Sequence, residues 1–386
     1  MRVKKVQLTN FRNHADSSLE FIEGINFITG PNAQGKTSIL EALSYICLTK
    51  SFLQQTDMTV PRFGGEMFTV DAVMETDRNI VNRVRVVYEA GAGKKYFLDS
   101  NEVKKSADVI GMFPIVVLSP GDFALTGGAP SERRKFADLV LSQVSRSYLE
   151  ELTEYRRALK QRNKILLDAK LSGSLDGGML TAWTDALVAH GTKVVSRRRR
   201  FIDEFQETFT SAYRSLVDAG ESPMLRYEPS FSTGGDIETG FRNALRELGR
   251  VEKARGATLA GPHRDDIGFI LNDMPIREFA SQGQHKTFLV ALKIAEFHYI
   301  KAMLGETPAM LLDDVMAELD YTRATKVIQT VADLGQTFIT ATDMLSFDDK
   351  MLDMRGTKFH LVKEGSVVYE NGSPDLHVLP AMRHDK

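Results

Sequence analysis

One cysteine, Cys47, and one tryptophan, Trp183, stand among 386 residues. A lone thiol forms no internal disulfide and is too little for a zinc cluster, so a disulfide scaffold and a zinc module are excluded, and a cytosolic (cytoplasmic) address is the simplest reading. No apolar run approaches the roughly 18 residues of a membrane span; the most conspicuous is FPIVVL at 113–118. The basic start, Met1-Arg2-Val3-Lys4-Lys5, is followed by no apolar segment or small-residue cleavage site, which argues against an export leader. An excess of one charge is missing too, since 49 Lys and Arg face 51 Asp and Glu for a net of −2. Near-neutrality leaves nucleic-acid binding open, because phosphate contact depends on where the cations lie. With 42% apolar residues, the chain reads as a globular protein of two or three domains.

Up to about residue 110 the pattern is one of strands with a single helix. Val3, Val6 and Leu8 open an edge-like strand, Ile25-Asn26-Phe27-Ile28 forms a second, and alternation over 81–88 a third. Ile39, Leu40, Leu43, Ile46 and Cys47 recur at helical spacing, which predicts an amphipathic helix over 36–48. From 130 to 217 long helical stretches take over. Leu139, Val140, Val144, Tyr148, Leu149, Leu152, Tyr155, Leu159, Asn163 and Leu166 or Leu167 keep a stripe for about eight turns, the mark of an antiparallel helical arm. Residues 131–218 hold 16 Lys and Arg against 12 Asp and Glu, a local +4 that includes Arg197-Arg198-Arg199-Arg200. Beyond 256 the alternation returns as helix 284–303, strand 309–312, helix 321–334 and strand 337–341. The expected division is 1–125, a helical insertion at 126–255, and 256–386.

Gly30-Pro31-Asn32-Ala33-Gln34-Gly35-Lys36-Thr37 fits G-x-x-x-x-G-K-[ST] and stands between a strand and a helix, where a phosphate-binding loop belongs. Its glycines let backbone N–H groups curl around phosphate oxygens, and the helix N-terminus adds positive potential. Lys36 would reach the β- and γ-phosphates of ATP, and Thr37 would offer its hydroxyl to Mg2+. The bland alternative is a glycine turn that caps a helix. Ala309-Met310-Leu311-Leu312-Asp313-Asp314 is an apolar strand ending in two carboxylates. Asp313 suits the metal and Asp314 the general base, although without a P-loop such a pair reads as a helix cap.

Lys36 and Asp313 lie 277 positions apart, too far for a small GTPase, so two pieces of one ATPase must meet around the insertion. Ser281-Gln282-Gly283-Gln284 opens the helix of 284–303, with Phe288, Leu292, Ala295, Tyr299 and Met303 as its expected buried stripe. The Ser281 hydroxyl, Gly283 and free N–H groups make either a second phosphate site or a plain N-cap. One P-loop, one acidic strand end and a spare helix start exceed the needs of one nucleotide. Two copies placed head to tail would use them all, each ATP lying between the P-loop of one and Ser281 of the other.

These residues resemble the Walker A, signature and Walker B motifs of ATP-binding-cassette ATPases of the SMC and Rad50 type, with Glu318-Leu319-Asp320 as the D-loop. Asn10-Phe11-Arg12-Asn13, Leu118-Ser119-Pro120-Gly121-Asp122, GGAPSERRKFAD at 127–138, Gly261-Pro262-His263-Arg264-Asp265-Asp266 and the SQGQ sequence narrow the likeness to the RecF family, over residues 1–345. The resemblance implies an α/β fold, a Rad50/SMC-like ABC-type P-loop ATPase head from 1–125 and 256–386 with an inserted helical arm domain. It implies a protein of DNA replication and recombinational repair that binds ATP and Mg2+ and forms an ATP-dependent homodimer on gapped or double-stranded DNA. Weak DNA-dependent hydrolysis would release the DNA, and the protein would assist RecA loading with RecO and RecR. By the same resemblance Gly30, Pro31, Asn32, Ala33, Gln34, Gly35, Lys36 and Thr37 hold nucleotide, Thr37 and Asp313 hold metal, and Lys36 and Asp314 act in catalysis. Ser281 and Gly283 would contact phosphate in trans, and Arg12 would touch phosphate or base.

The chain departs from the pattern in places. Thr340-Ala341-Thr342-Asp343 stands where many transporter ATPases carry a switch histidine, and no glutamine occurs in 118–122. Asp314 is one methylene shorter than Glu, and Lys50-Ser51-Phe52-Leu53 replaces the more usual Ser-His-Arg. All are compatible with slow hydrolysis. The competing readings are a transporter ATPase subunit, which needs a switch histidine and a membrane partner, and a structural SMC-like clamp, for which an insertion of roughly 90 residues is short. A nuclease, from His263, Asp265 and Asp266, is the third. In the arm, Arg156, Arg157, Arg162, Lys164 and Arg197 to Arg200 are DNA-phosphate candidates or a solvated face. Cys47 and Trp183 are expected in the core.

Overall fold

The computed structural model describes residues 1–174, 176–217, 220–315, 321–342 and 356–371. The expected D-loop, Glu318-Leu319-Asp320, and Asp343 lie outside these described residues. The chain forms two compact units, one of residues 1–122 and 290–386 and the other of 123–289.

In the first unit, segments of alternating burial pair antiparallel. β1 (Arg2–Phe11), β2 (His14–Glu20), β4 (Met67–Glu75), β5 (Val81–Glu89), β6 (Gly93–Leu98) and β7 (Asn101–Val103) form a sheet in the order β2-β1-β4-β5-β6-β7. Sequence pattern makes the first strand an edge, but β1 is interior, because β2 returns along one side after a tight turn and β4 covers the other.

The second sheet uses segments buried on both faces, as a parallel sheet with covered faces requires. Every residue of β3 (Ile25–Thr29), β8 (Ile115–Leu118), β12 (Ala309–Leu312) and β13 (Thr337–Ala341) is buried. With β14 (Thr357–Lys363) they run parallel in the order β14-β3-β13-β12-β8, and β15 (Ser366–Asn371) adds an antiparallel edge. α9 (Tyr321–Ala332) carries the chain between β12 and β13. Strands from the two chain ends thus interleave in one sheet. Buried Gln336 ties them further: its Oε1 accepts from Val3 N at 2.7 Å, and its Nε2 donates to the Val3 and Ile22 carbonyls at 2.8 Å.

α1 (Lys36–Leu48) contacts β1, β4 and β5 of one sheet and β13 of the other. It is therefore buried almost all round rather than amphipathic, with Ala42, Ser44 and Tyr45 as enclosed as Ile39 and Leu43. Cys47 lies in this core, where burial pushes its thiol up and makes it inert.

The second unit holds α2 (Ala124–Gly127), α3 (Pro130–Val144), α4 (Arg146–Ser172), α5 (Gly177–Leu216), α6 (Ile237–Arg255) and α7 (Ile276–Phe279). β9 (Pro223–Glu228), β10 (Asp266–Leu271) and β11 (Met274–Pro275) form a small sheet, and α8 (Gln282–Leu304) begins here. α4 and α5 are antiparallel, since Glu151 pairs with His190 and Lys193 while Arg162 meets Thr184. The predicted eight-turn stripe is two helices: Ser145 is extended (φ −147°, ψ 103°), and its hydroxyl caps α4 by accepting from Tyr148 N. Whereas the sequence ends the insertion at 255, β9 pairs with β10 across that point, which keeps 256–289 with the helices.

Two of the arginines read as DNA-phosphate candidates or a solvated face are inside the second unit. Arg198 donates to Asp138 Oδ1 at 3.0 and 2.8 Å and to the Pro262 carbonyl at 2.7 Å. Arg162 donates to Glu252 Oε2 at 2.6 Å and to Thr258 Oγ1 at 2.7 Å. Arg156, Arg157, Lys164, Arg199 and Arg200 are exposed and Arg197 half-buried. Trp183 is also half-buried, outside the core, and Met303 is exposed in the last turn of α8.

Candidate nucleotide site

The C-terminal ends of β3, β13 and β12 lie side by side, with Thr29 opposite Ala341 and Ile339 opposite Leu312. In a parallel sheet this is the edge where ligands bind. Beyond β3 the loop of 30–35 turns through left-handed backbone at Gly30 (φ 143°), Ala33 (63°) and Gly35 (108°) before entering α1. Neither glycine can carry a side chain: a Cβ at Gly30 would lie 2.3 Å from the Val362 carbonyl, and one at Gly35 2.6 Å from Asn13 and His14. Lys36 Nζ folds back over the loop and donates to the carbonyls of Gly30 (2.6 Å) and Pro31 (2.8 Å). Burial lowers its pKa against the opposing pull of Asp314 and Asp313.

From the end of β12, Asp313 Oδ1 accepts from Thr37 Oγ1 and from Thr340 Oγ1, both at 2.8 Å. Burial raises the Asp313 pKa in spite of these two hydroxyls. Asp314 has left-handed backbone (φ 51°), and its N–H donates to Thr340 Oγ1 at 2.8 Å.

Lys36, Thr37, Asp314 and Thr340 line one cavity of about 900 Å³, together with Arg12, Asn13, Asn32, Ala33, Gln34, Gly35 and Phe63. Arg12 sits in its wall with a prior commitment. Its Nε and Nη2 donate to Glu41 (2.7 and 2.6 Å) and its Nη1 to the Thr59 carbonyl (2.7 Å), so three of five N–H groups are used and two remain. Glu41 is buried and also accepts from Ser51 at 2.6 Å, which explains what the Lys50-Ser51-Phe52-Leu53 segment does here.

The chain matches the RecF/RecN/SMC N-terminal domain family over residues 2–359. The DNA replication and repair protein RecF of Chloroherpeton thalassium is 40% identical to it over 356 residues, covering 90% of this chain and 96% of the relative. That of Prosthecochloris aestuarii is 37% identical, covering 97% and 100%. The chain belongs to the RecF family. A solved structure of RecF with ATP, from the RecFOR pathway, superposes with a TM-score of 0.86 at 27% identity, covering 96% of this chain and 97% of that one. A Pyrococcus furiosus Smc head domain shares the fold at a TM-score of 0.52 and 14% identity, covering 99% and 98%. The architecture is the α/β ABC-type ATPase head that the motifs predicted.

In this RecF-family chain Ser281 and Gly283 belong to the second unit. Gln284 N donates to Ser281 Oγ (3.2 Å) and Ser281 N to Gln284 Oε1 (2.8 Å), a reciprocal capping box. The plain N-cap alternative thus describes the single chain, and it leaves the Ser281 hydroxyl hydrogen available to a phosphate. His263, Asp265 and Asp266 brace the second unit rather than the ATPase. His263 bridges Tyr155 Oη (2.6 Å) and the Thr258 carbonyl (3.1 Å), Asp265 accepts from Tyr227 and from Ser230 N (2.7 Å), and Asp266 takes a two-pronged bond from Arg133. No group of three potential metal ligands from His, Cys, Asp and Glu occurs among the described residues.

Sequence reasoning missed Thr340 as a site residue. Its signal was a hydroxyl near the C-terminal end of a fully buried strand that lies between β3 and β12. It also missed the ion pairs after β8: where a glutamine is absent, Asp122 meets Lys293 (3.5 Å), which pairs with Glu296 (3.1 Å). Burial pushes the Glu296 carboxyl up to about 7.

Proposed function

We propose that this chain is an ATP-driven switch of DNA replication and recombinational repair, in which two copies close on DNA around ATP and slow hydrolysis releases them. The observation that carries the reading is the 2.8 Å contact of Thr37 Oγ1 with Asp313 Oδ1, 276 positions away, beside a cavity shared by Lys36 and Asp314. The RecF relatives, called DNA replication and repair proteins, and the RecF solved with ATP support it. RecO and RecR as partners, and help in loading RecA, are the finer part of the proposal and rest on the RecFOR pathway of that structural relative.

In this reading the loop N–H groups of 32–36 surround the phosphates, and Lys36 exchanges two backbone carbonyls for phosphate oxygens, a charge-assisted contact. Thr37 and Asp313 supply a hydroxyl and a carboxylate, the hard oxygen donors that suit Mg2+. When bound, Mg2+ neutralises phosphate charge and draws the raised Asp313 pKa back down. Asp314 is the general base, its backbone fixed through Thr340. Asp314→Asn is expected to bind ATP as the parent does, to lose turnover about 100-fold, and to stay dimeric on DNA. Phosphate release and gel filtration with duplex check this, and turnover within fivefold of the parent would remove Asp314 from the role.

For pairing, Ser281 and Gly283 of one copy complete the site of the other. Two exposed aromatic side chains are Phe63 (104%), in the cavity wall, and Phe279 (60%), two residues before Ser281. A head-to-tail pair would cover both. Sedimentation of the full chain with ATP, ADP or no nucleotide, with and without gapped duplex, is the test. Twice the chain mass is expected with ATP alone, and one chain mass at saturating Mg·ATP at every concentration overturns the proposal. Ser281→Arg is expected to bind ATP within threefold of the parent yet remain monomeric; a variant that still pairs would exclude the trans contact.

The exposed Arg156, Arg157, Lys164, Arg199 and Arg200 are the remaining arm candidates for DNA phosphates, each adding about one unit to the salt slope. The rival readings gain nothing from the structure. No helix among the described residues is long and apolar enough to cross a membrane. The longest arm helix, α5, spans roughly 60 Å, short for a clamp built on coiled coils.

A further inference from the structure

The phosphate-binding loop is clasped by two turns distant in sequence. His14 is fully buried; its Nε2 lies 3.0 Å from the Gly35 carbonyl oxygen and its Nδ1 2.9 Å from Ser17 Oγ. Ser17 Oγ also lies 3.0 Å from the Gly365 carbonyl, so its one hydrogen is shared between that oxygen and His14 Nδ1, and from the same turn Gly365 N donates to the Gln34 carbonyl at 3.1 Å. Asn13 Nδ2 reaches the Ala33 carbonyl at 3.4 Å. Residues 33–35 are thus held from outside at three successive carbonyls.

The Gly35 link differs from the others in what it controls. A carbonyl only accepts, so His14 carries its ring hydrogen on Nε2. Burial holds the imidazole below the ordinary histidine range. The Gly35 carbonyl and the Lys36 N–H belong to one planar trans peptide and point in opposite directions. Whatever anchors the oxygen therefore aims the N–H, and that N–H opens α1 at the edge where a phosphate would sit. Gly35 leaves this peptide little intrinsic preference, because a glycine rotates freely where another residue would not.

We propose that His14 is a positioning residue of the nucleotide site: by donating from Nε2 to the Gly35 carbonyl it orients the Gly35–Lys36 peptide so that the Lys36 N–H faces the bound phosphate. The proposal rests on the nucleotide reading above. It makes the turn between β1 and β2 part of the phosphate site although His14 itself touches no ligand.

The test uses the full chain and Mg·ATP by titration calorimetry, with turnover at saturating ATP measured in parallel. His14→Leu keeps bulk and removes the donor; it is expected to weaken ATP affinity about tenfold while changing saturated turnover less than twofold. His14→Gln restores an N–H near the same reach and is expected to bind within threefold of the parent, whereas His14→Asn, too short to reach, is expected to resemble the Leu variant. Affinity of the Leu or Asn variant within twofold of the parent overturns the proposal, as does a Gln variant as weak as Leu. Should His14→Leu fail to fold by circular dichroism, the comparison of Gln with Asn decides alone. Lys36→Ala separates the two levels. Parent-like ATP binding by Lys36→Ala sinks the nucleotide reading itself, and weakened binding there with unchanged His14 variants sinks only the positioning role.

Discussion

Lys36→Ala is expected to weaken ATP binding about 100-fold and to abolish ATP-dependent pairing. The ammonium sits at the centre of the loop, bonded to the Gly30 and Pro31 carbonyls at 2.6 and 2.8 Å. Those carbonyls are neutral acceptors, whereas phosphate oxygens are charged, so the exchange on binding is strongly favourable. Two charge-assisted bonds carry about 3 kcal/mol, and each 1.4 kcal/mol is a factor of ten. The folded state should lose little, because the lysine is partly desolvated and its departure also removes that cost. Titration calorimetry with Mg·ATP checks the affinity and a thermal melt the fold. Affinity within fivefold of the parent would show that the cavity is not a triphosphate site.

The largest effect on stability is expected in the second unit, from Asp138→Ala, at about 3–5 kcal/mol. Asp138 accepts from Arg198 twice, from Arg156 at 3.0 Å and from Tyr148 Oη at 2.5 Å. Arg198 is 3% exposed and cannot reach water when its partner is removed. The loss therefore comes from a stranded cation more than from the missing contacts. Removing both charges should be milder, so Asp138→Leu with Arg198→Met is expected to recover most of the stability. Calorimetry should show an added early transition for Asp138→Ala that moves back in the double variant. A double variant no more stable than Asp138→Ala would place the energy in the hydrogen bonds instead.

What could be read from the chain alone depended on whether the signal was local. The helix of 36–48 and the strands of 309–312 and 337–341 end where the residues said they would, because their limits are set by adjacent glycines, carboxylates and apolar runs. The P-loop and the acidic strand end were legible for the same reason: their chemistry is contiguous. Environment was not. Arg162 and Arg198 look like their exposed neighbours in a charge count, and only Glu252 and Asp138, 90 and 60 positions away, show that they are internal. Packing by two sheets turned the expected amphipathic α1 into a buried helix, and the break at Ser145 hid inside an unbroken apolar stripe. His14 offered no motif at all, since its role depends on a carbonyl 21 residues away.

The placement of β13 between β3 and β12 bears on how the protein is made. Residues 25–29 leave the ribosome about 310 residues before the strand that must lie beside them, an interval of roughly 15 to 60 s at ordinary elongation rates. The helical unit of 123–289 is complete during that wait and can mature on its own schedule. The early strand stays unmatched, so a nascent chain halted before residue 337 carries the whole loop motif and no site.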